Sequence, residues 1–427
     1  MKPLNILVLV DEPGHAGALL RAFWPVQALV EAGVAKYAHH AWPGPKMTDA
    51  ADPMFDETLK RARENTLSFS KDFIRDLAGA DVILMPQTAC SMWHAYIRFW
   101  QGKGKVVVLD ADDDSFKVHP LSPSYAVRGT EECAVTVNGK PLLLWEDYEK
   151  HLGEDPDELA RRDPKVSMLY LRRNRQMMDL YANALREADA VTTTTERARK
   201  RFLEFNANTF VLPNCVDTNL YVPGRHPGRP GFRIGWYGGN SHENDVRHMA
   251  LGLKRFLARR KDALLVVAGA LPGAVVANVP GERVEFWDWS CMEAHPWRLM
   301  GLALDLGLCA VEPGTPFNAC KSPLKWTELG ACGVPAICTN APPYSDAVRH
   351  NEDGFLVNDT PEAWEAAIES MYEEPRMRAR IGDAARRRTE KDFDTYRKAG
   401  DWYDLYSSLV DARRSTVLGV PTEIERV

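Results

Sequence analysis

The chain has 427 residues, which is enough for two or three domains with cores of their own. Its hydrophobic content of 45% and charged content of 26% are ordinary for a soluble globular protein. The formal net charge of −6 excludes a general attraction to nucleic acid or to an anionic membrane. The sequence has no apolar run of about 18 residues, so no transmembrane segment is expected. The N-terminus enters a strand at once, without a signal peptide, and we expect a cytoplasmic protein.

Short apolar runs alternate with helical patterns along the chain, which indicates an α/β protein with parallel sheets. The predicted strands are 4–10, 81–85, 105–109, 190–194 and 210–212 in the first half, and 232–237, 263–267, 284–287, 306–311, 334–339 and 355–357 in the second. We infer two Rossmann-like domains, each built on a doubly wound parallel sheet.

A stretch rich in Pro and Gly at 223–231 lacks apolar periodicity and is typical of an inter-domain linker. The sequence therefore predicts a first domain at 1–222 and a second at 232–395. A C-terminal helix and tail at 396–427 are expected to pack back towards the first domain. An insertion at about 121–166 contains Asn138 and Gly139, a strong signal for a two-residue hairpin turn. We expect this insertion to act as a lid or to shape the site for one of the substrates.

The most informative stretch is 316–335, which predicts a loop, a helix and the start of a strand. Ser322 is typical of a helix N-cap, and Gly333 suits the positive φ that ends many helices. Because the apolar run 334–339 follows directly, the helix belongs to a unit with parallel strands. The loop 312–321 then lies at the carboxyl end of a strand, where such sheets bind their ligands.

Lys321 and Lys325 lie at the start of that predicted helix. The helix dipole disfavours cations there, and a bound anion such as pyrophosphate would reverse this effect. The alternative is two solvated lysines, with Lys325 paired to Glu328 three residues further on. Glu328 could instead accept hydrogen bonds from vicinal hydroxyls such as those of a ribose. The stretch therefore favours a phosphorylated ligand that carries a sugar.

The strand 105–109 leads into a cluster of four carboxylates, Asp110, Asp112, Asp113 and Asp114. Carboxylates this close repel one another, so they need a metal, a cationic partner or solvation. We predict that Asp112 and Asp113 bind hydroxyl groups of a substrate, with a divalent ion as the alternative. A structural alternative is that Asp114 is a helix N-cap and the others are solvated.

The two predicted Rossmann-like domains, the linker and the C-terminal helix, in this order, resemble the GT-B fold. Within this fold, the chain resembles the family 4-like retaining glycosyltransferases. The resemblance covers most of the chain and rests on the segments 188–195, 211–217, 221–223, 233–239, 305–308, 316–335, 342–344 and 354–357. It implies transfer of a sugar from a nucleoside diphosphate sugar to a hydroxyl, with retention of configuration. The aspartate cluster and the segment 119–125 also resemble compact phage-encoded glycosyltransferases, some of which modify bases in DNA.

The resemblance also implies roles for matching residues. The donor-binding residues would be Gly238, Gly239, Ser241, His242, Trp287, Asn318, Lys321, Ser322, Lys325 and Glu328. The catalytic residues would be Lys325, Glu328, Asp112 and Asp113, and the acceptor-side residues His15, Arg21, Asp112 and Asp113. The two lysines would face the diphosphate, Glu328 the ribose and Trp287 the base. The alternatives are a core aromatic for Trp287, a surface helix cap for His242 and an ordinary loop residue for His15.

The chain departs from the family pattern at two places. Cys320 stands where the family has a first glutamate that touches the sugar, which leaves the sugar open. The segment 240–245 replaces a usual Arg and Lys pair, and its Ser241 and His242 could donate to phosphate.

No cofactor or metal is expected to be required, and a UDP-sugar is favoured as co-substrate. The acceptor is left open between a small molecule or glycan, which we favour, and a modified base in DNA. Two functions of a different kind are also compatible with the sequence. One is a nucleotide-sugar epimerase, which would convert its donor without an acceptor, and the second is a non-catalytic sensor. The oligomeric state is left open as well.

Overall fold

The structure is a computed structural model that describes residues 3–11, 13–14, 16–41, 69–86, 91–119, 122, 124–131, 133–137, 140–144, 171–223, 229–239 and 242–417. The chain divides into two compact units. Unit 1 comprises the described parts of Met1–Pro120, Ser124–Pro213 and Lys398–Val427, and unit 2 those of Leu121–Pro123 and Asn214–Arg397. The predicted linker falls partly outside the described residues, at 224–228, and the predicted domain limits stay predictions.

Unit 1 contains a sheet of six described strands, all parallel. The strands of this unit are β1 (Leu4–Val10), β2 (Ala35–Ala41), β3 (Val82–Pro86), β4 (Val106–Asp110), β5 (Cys133–Val137), β6 (Lys140–Leu144), β7 (Ala190–Thr193) and β8 (Thr209–Val211). The order in the sheet is β2-β1-β3-β4-β7-β8. β5 and β6 form a separate antiparallel hairpin in which Val137 pairs with Lys140. This pairing confirms the predicted two-residue connection, whose Asn138 and Gly139 lie outside the described residues.

Along the chain, the helices of unit 1 before residue 214 connect successive strands. They are α1 (16–31, with a π-helical turn at Leu19–Phe23), α2 (Lys71–Gly79), α3 (Ile97–Gly102), α4 (Tyr125–Arg128), α5 (Leu171–Glu187) and α6 (Glu196–Phe202). All residues of β3 and β4 are buried, as expected for strands covered on both faces.

Unit 2 is a second parallel sheet of six described strands, in the order β11-β10-β9-β12-β13-β14. These strands are β9 (Phe232–Gly238), β10 (Ala263–Gly269), β11 (Val284–Trp287), β12 (Leu306–Cys309), β13 (Ala336–Thr339) and β14 (Phe355–Val357). Its helices are α7 (Arg247–Arg259), α8 (Gly273–Asn278), α9 (His295–Gly301), α10 (Pro316–Cys320), α11 (Leu324–Ala331), α12 (Tyr344–Ala347), α13 (Pro361–Glu373) and α14 (Pro375–Asp392).

The sheet of unit 2 is buried on both faces by two hydrophobic clusters. Ile234 and Trp236 lie in one cluster, while Tyr237, the next residue of β9, lies in the other. On β10, Val267 and Val266 divide between the clusters in the same way. Because successive side chains of a strand point to opposite faces, this alternation means that apolar packing covers both sides. The prediction of two doubly wound parallel sheets is confirmed.

The last helix, α15 (Thr395–Val417), belongs to unit 1 from Lys398 onwards. Trp402 and Tyr406 are buried on it. Near its end, Arg413 pairs with Asp189, and the Arg414 guanidinium lies 2.9 Å from an oxygen of Asp81. Within the described ranges, no helix combines the length and the apolar character that crossing a membrane requires.

Candidate functional site

The strand order of unit 2 reverses between β9 and β12. The chain runs from β9 through β10 to β11 on one side of the sheet, and β12 to β14 lie on the other side. At such a switch point the connections leave the sheet in opposite directions, which opens a crevice at the carboxyl ends of the two strands. The turn after β9 and the segment 310–321 after β12 both lie at that end.

Gly238 ends β9 at this crevice, and three side chains approach it closely. A Cβ atom at this position would lie 3.0 Å from Cδ2 of His242, 3.1 Å from Nζ of Lys325 and 3.2 Å from the Trp236 ring. A larger residue would push these groups apart, so glycine keeps the space beside the turn open. The structure thus brings together Gly238, His242 and Lys325, three of the predicted donor-binding residues.

Lys325 is the second residue of α11, and its ammonium is buried. Nζ has no hydrogen-bond partner among the described residues and lies 5.3 Å from the centroid of the Trp236 ring. Burial lowers the pKa of Lys325 to about 8, and the positive charge of Lys321 lowers it further against the opposing effect of Asp245. A buried ammonium without partners is unfavourable, so this atom is suited to an anion held at the glycine turn.

Asp245 organises the neighbouring loop. Its Oδ1 accepts from the backbone N–H of Glu312 at 2.7 Å and from the side-chain amide of Asn318 at 2.8 Å. Its Oδ2 lies 2.6 Å from Nδ1 of His242. Burial would raise the pKa of Asp245, but the hydrogen bond from His242 and the charge of Lys321 lower it to about 2. Asn318, predicted to bind the donor, therefore holds Asp245 in place.

Lys321 directly follows α10, and its Nζ lies 4.7 Å from the centroid of the Phe317 ring. The prediction that Ser322 caps the next helix is wrong. The N-cap of α11 is Pro323, without a side-chain capping bond, and the Ser322 hydroxyl accepts from the Asn214 amide at 2.9 Å. The helix therefore begins at Leu324 without a capping bond from the residue that precedes it. Its predicted end is confirmed, since Gly333 follows it with φ of 68°.

Glu328 lies one turn further along α11 and is almost fully buried. Its Oε2 accepts from the Tyr237 hydroxyl at 3.0 Å, and its Oε1 lies 3.3 Å from Nε2 of His295. These partners replace the ion pair with Lys325 that the alternative interpretation requires. Burial would lower the pKa of His295, but the charge of Glu328 and its hydrogen bond outweigh this effect and raise it. The carboxylate is thus held in one orientation from two sides.

Trp287, at the end of β11, and Trp289 have different surroundings. The guanidinium carbons of Arg229 and Arg298 lie 5.1 and 5.4 Å from the centroid of the Trp287 ring, and its Nε1 donates to Glu285 at 2.7 Å. Local contacts therefore account for the position of Trp287. Trp289 is 61% exposed, and its ring edge lies 3.4 Å from where a Cβ of Gly239 would stand.

In unit 1, Arg21 is fully buried and bound to Asp110. Its Nε and Nη2 donate to that carboxylate at 2.9 and 2.7 Å, and its Nη1 donates to the carbonyl of Leu212 at 2.5 Å. The Thr192 hydroxyl donates to the same carboxylate at 2.6 Å. This arrangement makes Arg21 part of the interior packing, at the carboxyl end of β4.

The other aspartates of the cluster follow β4. Asp114 is buried, caps the short 3₁₀ turn at Ser115–Lys117 through the N–H of Phe116, and pairs with Arg201 at 2.9 Å. The capping role predicted as an alternative for Asp114 is thus confirmed, but the solvation that this alternative expected of the other aspartates is wrong for Asp110, which is buried against Arg21. Burial, together with the charges of Asp113 and Asp110, raises the pKa of Asp112 well above its usual range. The substrate-binding roles of Asp112 and Asp113 stay predictions.

Two predicted residues, His15 and Ser241, lie outside the described residues. In the part of the chain that the structure describes, no group of three or more His, Cys, Asp or Glu side chains could hold a metal ion. Sequence reasoning did not single out Tyr237, Asp245, His295 or Trp289. Tyr237 continues an apolar strand, and no local pattern marks Asp245 or His295 as partners of distant residues.

The comparisons with known proteins agree with this geometry. Residues 322–388, which include Lys325 and Glu328, match the model of a family described as Glycosyl transferases group 1. No curated protein matches the sequence.

Solved structures resemble the chain over nearly its whole length. Sucrose-phosphate synthase from Thermosynechococcus elongatus is 16% identical, with a TM-score of 0.61, and the match covers 96% of this chain and 100% of that one. Alr3699/HepE from Anabaena, solved with UDP-glucose, is 15% identical, with a TM-score of 0.59 and coverage of 94% and 99%. A glycosyltransferase from Rickettsia africae is 11% identical, with a TM-score of 0.61 and coverage of 96% and 99%. The shared fold and the family match together identify this chain as a glycosyltransferase with the GT-B fold.

Proposed function

We propose that the enzyme transfers a sugar from a nucleoside diphosphate sugar to a hydroxyl group, with retention of configuration at the sugar. The observation that carries the proposal is the buried Nζ of Lys325, which has no partner among the described residues and lies beside Gly238 at the switch point of unit 2. A UDP-sugar is the favoured donor, since Alr3699/HepE has been solved with UDP and with UDP-glucose.

The diphosphate would lie against the turn at Gly238 and Gly239. Its oxygens would accept hydrogen bonds from Lys325 and Lys321, which relieves the burial of the first ammonium. Because negative charge on the diphosphate grows as the bond to the sugar breaks, these two cations would stabilise the transition state more than the ground state. The free N–H groups at the start of α11 would act in the same direction.

Glu328 would bind the ribose of the donor. A carboxylate offers about four acceptor positions, and the contacts with Tyr237 and His295 use two of them. Those contacts fix the direction of the remaining lone pairs, which suits the recognition of two neighbouring hydroxyl groups.

For the chemical step we propose attack by the acceptor hydroxyl on the face of the sugar from which the diphosphate leaves. The new C–O bond forms as the old one breaks, and the proton of the hydroxyl passes to an oxygen of the departing diphosphate. Asp112 and Asp113 are the proposed acceptor-binding residues. We favour a small molecule or a glycan as acceptor.

A thermal-shift screen against UDP-, GDP- and ADP-sugars tests the donor. A ligand at a hundred times its Kd stabilises the folded protein by about 2.7 kcal/mol, which is easily measured. We expect a UDP-sugar to raise the Tm of the wild type and of Lys254→Ala, an exposed lysine of α7, but not of Lys325→Ala or Glu328→Ala. NMR of the anomeric proton of the product then tests retention. The proposal fails if no nucleotide sugar changes the Tm, or if both site variants retain full transfer activity.

A further inference from the structure

The imidazole of His242 is oriented by Asp245 and faces the glycine turn. Asp245 is fixed by the Glu312 N–H and the Asn318 amide, and its carboxylate can only accept, so Nδ1 of His242 carries the hydrogen of their 2.6 Å bond. This leaves Nε2 as the nitrogen that can gain a proton. The adjacent ring atom, Cδ2, lies 3.0 Å from the Cβ position of Gly238, which Lys325 also approaches.

Without a ligand, the surroundings keep this imidazole neutral. Burial and the positive charges of Lys325 and Lys321 lower the pKa of His242 to about 3, against the opposing effect of Asp245. Glu243, the next residue, does not offset these charges at the turn. Its carboxylate accepts instead from two backbone N–H groups at the start of α8, at 2.8 and 2.9 Å.

A diphosphate at the turn reverses this balance. In a nucleoside diphosphate sugar each phosphate carries one negative charge. One such charge, about 4 Å away in an effective dielectric constant of about 20, raises the proton-binding constant of a neighbouring base by up to a factor of about a thousand. For a group with a pKa of about 3 to be half-protonated at pH 7, its proton-binding constant must rise by a factor of about ten thousand. One phosphate charge supplies less than this factor, whereas the combined factor of two charges at about 4 Å exceeds it.

We propose that a nucleoside diphosphate sugar binds to this site together with one proton, which is taken up at Nε2 of His242. The imidazolium, held by Asp245, then donates a hydrogen bond to the diphosphate and supplies a third positive charge beside Lys321 and Lys325. This inference rests on the proposed function and assigns to His242 a charge that only the bound complex has. It follows that the affinity for the donor falls by up to tenfold per pH unit between about pH 3, where the free imidazole titrates, and the pKa that His242 has in the complex, and then levels off.

Calorimetric titration with UDP-glucose at pH 7 tests the proposal. The diphosphate of this probe is esterified at both ends and does not titrate near neutrality, so proton uptake reflects the protein. The measured enthalpy is plotted against the ionisation enthalpy of several buffers, and the slope gives the number of protons taken up. We expect a slope near one for the wild type. Lys325, with a pKa of about 8, adds only about 0.1 of a proton at this pH.

Two histidine variants locate the proton. His242→Gln keeps a hydrogen-bonding amide but cannot gain a charge, so its slope is expected to fall close to zero, with weaker binding. His248→Gln is the matched control, because His248 is half-exposed on α7 and pairs with Asp359. Its slope is expected to equal that of the wild type. Circular dichroism melts verify that both variants are folded.

The outcomes separate this inference from the proposed function. Saturable binding of UDP-glucose with a slope near zero overturns the inference and leaves the proposed function in place. A slope near one that persists in His242→Gln overturns the assignment of the proton to this residue. If the donor screen and the titration both show no binding of any nucleotide sugar, the proposed function fails, and the inference fails with it.

Discussion

Replacing Lys325 by Met should stabilise the protein without ligand and weaken its binding of the donor. Methionine fills a similar volume without a charge, so the substitution removes the buried ammonium that has no partner among the described residues. Replacing an ordinary solvated lysine usually changes the free energy of unfolding by less than about 0.5 kcal/mol. The expected gain in the free energy of unfolding therefore distinguishes an anion site without its ligand from an ordinary lysine.

The magnitude follows from the pKa of Lys325, which burial lowers from 10.5 to about 8. Each tenfold change in proton affinity corresponds to about 1.4 kcal/mol, so keeping this lysine charged below pH 8 destabilises the folded state by about 3 kcal/mol. Contact with the Trp236 ring offsets about 0.5–2 kcal/mol of that destabilisation. The expected gain for Lys325→Met at pH 7 is therefore about 1–3 kcal/mol.

The sign of the pH dependence is also determined. Between pH 8 and 10.5 the unfolded state binds more protons at this residue than the folded state does, so the wild type gains stability as the pH rises. Lys325→Met lacks this contribution. The advantage of the variant is therefore expected to be complete below about pH 8 and to vanish above about pH 10.5.

Urea unfolding followed by tryptophan fluorescence at pH 7 and pH 10 provides the assay, with and without UDP-glucose. Lys254→Met, on the exposed face of α7, should change neither stability nor binding. Lys321→Met should leave the unfolding free energy within about 0.5 kcal/mol of the wild type, because this residue is only partly buried, and should still weaken binding. The reasoning is refuted if Lys325→Met is less stable than the wild type at pH 7, or binds UDP-glucose equally well.

Two further substitutions test one residue in each unit. Arg21→Met leaves the carboxylate of Asp110 buried without its guanidinium partner. This variant should lower the free energy of unfolding by about 3–5 kcal/mol, measured by urea unfolding. A loss under about 1 kcal/mol would show that this ion pair is not a structural element. Trp289→Ala should change stability by less than about 0.5 kcal/mol, but should weaken UDP-glucose binding by about 1–3 kcal/mol if the exposed indole beside Gly239 stacks on the base. Trp297→Ala, which removes a ring that is 58% exposed, is the control, and equal affinities of the two variants would contradict stacking on Trp289.

The sheets could be predicted from the sequence because most of their strands are buried on both faces. Such strands are continuous apolar runs, which survive as a signal without any knowledge of their neighbours. β2 is the instructive exception. It lies at the edge of its sheet with mostly half-buried or exposed residues, and its sequence, with a lysine and two histidines, has no apolar run. Edge strands are specified by their pairing partner more than by their own composition.

The site could be predicted only in part, for a related reason. Lys321, Lys325 and Glu328 stand close together in the sequence at the start of one helix, so their chemistry is visible locally. The contacts that fix them are not local: Glu328 meets Tyr237 across 91 positions. The error at Ser322 has the same origin, because its hydroxyl is engaged by Asn214, 108 positions away, rather than by the helix that follows it.

The charges at the glycine turn explain why a histidine is suited to the place where this chain departs from the family pattern. Without ligand, Lys321 and Lys325 are opposed by Asp245, and His242 is neutral, so the group carries one net positive charge. A diphosphate with two negative charges would leave the occupied site with one net negative charge, and a proton on His242 brings it to zero. A permanently charged arginine in the same position would raise the net charge of the site without ligand from one to two. It would also place a second cation beside the ammonium of Lys325, which is buried without a partner among the described residues. A group that gains its charge only with the ligand avoids this destabilisation, and it makes the pH dependence of donor binding the most direct measure of how the site works.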